Sequence, residues 1–105
     1  METSVQSKRE VIERLQPLGP EFRALGVERL GLFGSFYRDD ASAESDVDIL
    51  VEFSPGQKSF DNFMHLAERL ESVLGRPVEL VTRESLSPYI GPRILAATEY
   101  VSFSS

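Results

Sequence analysis

Apolar positions along this chain change their spacing several times, and each change marks an element. Val11, Ile12, Leu15 and Leu18 recur at three- and four-residue intervals, which predicts an amphipathic helix from about Ser4 to Leu18, ended by Gly19-Pro20. In Val27–Phe33 the period shortens: Leu30 and Leu32 alternate with other residues, as on a half-buried strand. Gly34-Ser35 interrupts that strand, Phe36-Tyr37-Arg38 suits one turn of helix, and the polar run Asp39 to Ser45 is a loop. Alternation returns in Asp46–Phe53, with Val47, Ile49, Val51 and Phe53 on one face and Asp46, Asp48, Leu50 and Glu52 on the other. After the Ser54-Pro55-Gly56 turn, Ser59 is a candidate cap for a helix whose core face carries Phe60, Phe63, Ala67, Leu70 and Leu74 and which Gly75 closes. Val78-Glu79-Leu80-Val81 is a third strand, and a helix between two such strands implies a right-handed crossover. Thr82 to Ala97 is expected to be helical in part, broken at Pro88 and Gly91-Pro92, before a last extended piece at Glu99-Tyr100-Val101.

This succession predicts an α/β fold: a small mixed β-sheet of three strands or slightly more, packed on helices, with a site on the open face. All 105 residues fit one domain, 1–105, whose modest core leaves little room for a macromolecular acceptor pocket, so a partner is expected to supply one. A net charge of −6 leaves no broad positive field, and nucleic acid is therefore not expected as a direct partner. The absence of cysteine removes disulfides, thiolate metal sites and a cysteine nucleophile together. No apolar run is long enough for a signal peptide or membrane span, so a soluble, cytoplasmic protein is expected.

Charge placement adds chemistry to this frame. Asp46 and Asp48 are two positions apart on a strand, so both carboxylates leave one face about 7 Å apart along the backbone. Like charges so close call for a divalent ion or a proton, and hard oxygen donors favour magnesium. If the third strand lies alongside, Glu79 adds a third carboxylate from the same face, able to ligate an ion or take a proton. Gly34 permits a tight path after the first strand, and Ser35 offers a hydroxyl and an amide at the start of a short helix, where phosphate is favoured. Arg38, one turn onward, can reach the same phosphates with its planar fork. Alone, an Asp-x-Asp is more often the solvated face of an edge strand, and a Gly-Ser pair a capped turn; the combination, with Asp46 eleven positions after Ser35, points to a nucleotide site. His65, the only histidine, has no second histidine to share a metal and is assigned to the surface or to structure.

Gly34-Ser35 followed by Ser45-Asp46-Val47-Asp48-Ile49-Leu50-Val51 resembles the GS...SDxDxxV signature of polymerase-beta-like nucleotidyltransferases, and most of all the minimal nucleotidyltransferase (MNT) proteins. Phe60-Asp61-Asn62-Phe63 and Val78-Glu79-Leu80-Val81-Thr82 extend the likeness over roughly residues 28 to 101. The resemblance implies the polymerase-beta-like nucleotidyltransferase fold, with Gly34, Ser35 and Arg38 at the nucleotide phosphates and Asp46, Asp48 and Glu79 as catalytic acids that bind Mg2+. It implies transfer of AMP or another nucleoside monophosphate, with ATP as donor, to an acceptor hydroxyl. The acceptor implied is a tyrosine of a HEPN-domain toxin partner, which makes the chain an antitoxin. A binding module that masks the toxin by contact is the alternative, and a small-molecule transferase of the aminoglycoside type is a third reading, one that usually carries a further domain. The chain departs from the family pattern at Tyr37 and Asp39, where a small residue and glycine are common, and at Glu79, where aspartate is.

Overall fold

The computed structural model describes residues 4–103. Its first helix, α1 (Lys8–Leu15), starts where the Ser7 hydroxyl accepts a hydrogen bond from the Glu10 N–H, and it buries Val11 and Leu15. Gly19-Pro20 opens a helix instead of ending one. A 3-10 turn over Gln16–Leu18 leads into α2 (Gly19–Ala24), with proline in the first turn, where its missing N–H has no intrahelical partner to lose.

Strand β1 (Val27–Phe33) runs without a loop into α3 (Gly34–Arg38), and a polar loop then leads to β2 (Val47–Phe53). Helix α4 (Phe60–Leu74) is capped by Ser59, whose hydroxyl accepts from the Asn62 N–H, and is closed by Gly75 at φ 67. Its buried stripe is Leu66, Leu70, Val73 and Leu74. Phe60, assigned to the core face by its spacing, is 77% exposed, because contact with the core begins one turn later at Phe63. Strand β3 (Val78–Thr82) follows, then a 3-10 turn, α5 (Gly91–Ala96) and the short β4 (Glu99–Tyr100). Gly91-Pro92 again begins a helix where the sequence suggested a break.

The strands form one mixed sheet in the order β3-β2-β1-β4, with β2 and β3 parallel and β1 antiparallel to both β2 and β4. The expected α/β class holds. Leu30, Leu32, Val47, Ile49 and Val51 point to one face and are buried with α1, Phe22 and the α4 stripe. The opposite face is less open than the alternation implies: Leu50 is fully buried there, and a Cβ on Gly31 would come within 2.4 Å of the Thr98 methyl. Among the described residues no helix is long and apolar enough to cross a membrane.

Candidate active site

Strand order decides what surrounds the acidic pair. β2 lies inside the sheet, so Asp48 sits between Phe33 of β1 and Glu79 of β3, in register with both. The edge-strand reading of Asp-x-Asp therefore fails, and the side chains of Asp48 and Glu79 come into hydrogen-bonding contact. Asp46 stands one residue before β2 begins and is exposed. The two aspartates thus differ: one is fixed in the ladder, the other sits at its mouth.

The turn after β1 closes over the fixed one. Gly34 adopts φ 74, and a Cβ there would lie 2.0 Å from Asp48 Oδ2. Both the left-handed backbone and the space are reasons for glycine at this point. Ser35, half-buried, follows Gly34 in the first turn of α3.

Packing at this junction raises the proton affinity of Asp48. Burial, then the hydrogen bond with Glu79 and the charges of Glu79 and Asp46, push its carboxyl up to about 6, with the Arg38 charge opposing. Arg38 acts on Asp48 through its field, but its Nε is paired with Asp40 Oδ2 at 3.2 Å and the side chain is 60% exposed. Asp39 takes the left-handed conformation at φ 60 and ends α3. Its Oδ1 accepts a hydrogen bond from the Lys8 N–H at 3.2 Å, so this carboxylate serves the start of α1.

Carboxylate oxygens of Asp46, Asp48 and Glu79 are a hard donor set suited to magnesium. Among the described residues no three or more acidic, histidine or cysteine side chains are grouped so as to hold a metal ion. Asp48 and Glu79 are in hydrogen-bonding contact, an approach of two carboxyl groups that a cation would relieve, and Asp46 lies exposed two residues before Asp48.

A profile of the nucleotidyltransferase domain matches residues 8–101. The chain belongs to the nucleotidyltransferase domain family. It is 43% identical over 76 residues to the protein adenylyltransferase MntA of Thermococcus cleftensis, covering 72% of this chain and 76% of that one. A solved structure provisionally identified as a minimal nucleotidyltransferase superposes with a TM-score of 0.80 at 27% identity, covering 92% of this chain and 98% of the other. The fold is shared too, with a TM-score of 0.61 at 19% identity over 92% of this chain and 73% of the other, by a chain from the complex of a tri-AMPylated Shewanella oneidensis HEPN toxin with its MNT antitoxin.

In this nucleotidyltransferase a cavity of about 210 Å³ adjoins the turn after β1, lined by Phe33, Gly34, Arg38, Arg93, Ile94 and Ala97. Sequence reading did not single out Arg93, since an isolated arginine beyond a Gly-Pro pair carries no periodic signal. Cavities of about 310 Å³ beside Lys8 and Glu99 and about 380 Å³ beside Phe60 and Phe63 are roomier but lack Gly34, and Asp46, Asp48 and Glu79 line none of the three. His65 lies exposed on α4.

Proposed function

We propose that this nucleotidyltransferase moves AMP from magnesium ATP to an acceptor hydroxyl, and that the acceptor is a tyrosine of a HEPN-domain toxin which the chain thereby neutralises in the cytoplasm. The observation that carries this reading is the contact of Gly34 with Asp48: a phosphate turn and a carboxylate pair meet without an intervening side chain. The name of the Thermococcus relative supports adenylyl transfer, and the AMPylated toxin in the Shewanella complex supports both AMP as the group transferred and the class of partner.

In this reading Ser35 and the adjoining amides hold phosphate oxygens, and Arg38 exchanges Asp40 for a phosphate. Asp46 and Asp48 hold the magnesium, with Glu79 beside them. Magnesium bound there supplies neutralisation of the charge that builds on the phosphoryl oxygens. Glu79 takes the hydroxyl proton, the hydroxyl oxygen bonds to the α-phosphorus, and the bond from that phosphorus to pyrophosphate breaks.

Incubation of the purified protein with a HEPN-domain partner, magnesium and α-labelled ATP tests the proposal. Label should appear on a partner tyrosine, and Asp46→Ala/Asp48→Ala should reduce its transfer at least about a thousandfold. Neutralisation of the partner that survives the double substitution would instead establish masking by contact.

A further inference from the structure

The guanidinium of Arg76 is buried at the back of this site and takes no part in the chemistry above. Arg76 follows Gly75 at the end of α4 and is only 8% exposed. Removing a full charge from water is costly unless its hydrogen bonds are met, and such groups are usually paired with an acid. Among the described residues no carboxylate pairs with Arg76. Its hydrogens go to backbone carbonyls: Nε donates to Val5 at 2.7 Å, and Nη1 to Ser42 at 2.9 Å, Ala43 at 3.2 Å and Ser45 at 2.9 Å. The Phe36 ring lies against the guanidinium, 5.0 Å from its central carbon to the ring centroid.

Three of these acceptors belong to the loop that delivers Asp46. The Ser45 carbonyl is part of the peptide bond entering Asp46, and on the far side the Val47 N–H donates to the Pro77 carbonyl at 3.0 Å. Arg76 and Pro77 therefore hold the backbone immediately before and after Asp46. Phe36, next in sequence to Ser35, brings the phosphate turn into the same assembly.

We propose that Arg76 is a positioning residue: its grip on the Ser42, Ala43 and Ser45 carbonyls fixes where Asp46 stands relative to Asp48, and so sets the affinity of the site for its divalent cation. The purpose of that cation rests on the nucleotidyl-transfer reading, whereas the latch itself does not. Lysine at this position keeps the charge but lacks the planar fork that reaches several carbonyls at once.

Two measurements on Arg76→Lys test the role without relying on turnover. In the metal-free protein, amide exchange across Ala43–Val47 should accelerate about tenfold while the α4 core exchanges as before. Binding of Mn2+, followed by calorimetry with a non-hydrolysable ATP analogue present, should weaken about tenfold. Leu70→Val, which loosens the core away from this loop, is the control for lost stability and should bind Mn2+ as the wild type does. Should Arg76→Lys fail to fold, Phe36→Leu removes the ring under the guanidinium and should weaken Mn2+ binding about threefold. Unchanged Mn2+ affinity in Arg76→Lys, or an equal loss in Leu70→Val, overturns the role of Arg76 and leaves the nucleotidyl-transfer reading standing. A wild-type protein that binds no Mn2+ with the nucleotide overturns both.

Discussion

Asp48 is held where it costs the empty protein stability. Its carboxyl sits at about 6 in the folded chain, against 3.8 as the ordinary value, because burial and the neighbouring acids oppose its charge. The native state thus holds this proton more tightly than the unfolded chain, so metal-free stability declines as pH rises between those values and stays lower above them. Asp48→Asn keeps the shape and removes the charge. At pH 7.5 and without metal it should be more stable than the wild type by about 1 kcal/mol, a figure scaled down because the carboxyl is partly solvated. Urea melts at pH 7.5 and near pH 4 should show that gap opening and closing. The carboxylate pair itself was readable from Asp46-Val47-Asp48, but the inequality of its two members was not, since β2 begins between them.

At the scale of elements, α1 and α3 are joined through one unusual residue. Asp39 lies at φ 60, where glycine is favoured, and its carboxylate caps the Lys8 N–H of α1. Asp39→Gly should relieve about 1 kcal/mol of left-handed strain and lose a cap of similar size, leaving thermal stability nearly unchanged. Asp39→Ala keeps the strain and loses the cap, and should cost about 1–2 kcal/mol, measurable in thermal melts. Strands and α4 were legible from periodicity, as were the Ser59 and Gly75 caps, because each rests on local chemistry. Gly19-Pro20 and Gly91-Pro92 were read the wrong way round: Gly-Pro suits the first turn of a helix as well as the residues after its last. Phe60 kept the spacing of the α4 stripe but lies a turn short of the core, a matter of where the helix docks.

For the molecule as a whole, the proposed site couples folding to ligand binding, because Asp48 lies on an inner strand of the sheet. Magnesium with a non-hydrolysable ATP analogue, at about a hundred times its dissociation constant, should stabilise the native state by about 3 kcal/mol, which for a chain of this size is a rise of roughly 10 °C or more. Asp46→Ala/Asp48→Ala should show no such rise in differential scanning calorimetry. The same interdependence runs through Arg76, which bridges the N-terminal segment at Val5, the loop before Asp46 and α3 at Phe36. Nothing in Gly75-Arg76-Pro77 advertises that bridge, because carbonyls carry no side-chain signature and Val5 is 71 positions away.

The amino-acid sequence by itself determined the elements, the α/β class and the candidate residues Gly34, Ser35, Asp46 and Asp48, since all of these follow from short-range spacing and backbone preference. Tertiary structure decided the neighbours. Only the parallel register of β2 and β3 sets Glu79 against Asp48, and only the fold of the turn sets Gly34 over that carboxylate. Arg93 joins Gly34 in lining one cavity, and Arg76 reaches the loop before Asp46, by chain packing alone, because contacts between distant segments depend on how the sheet is ordered and what covers it.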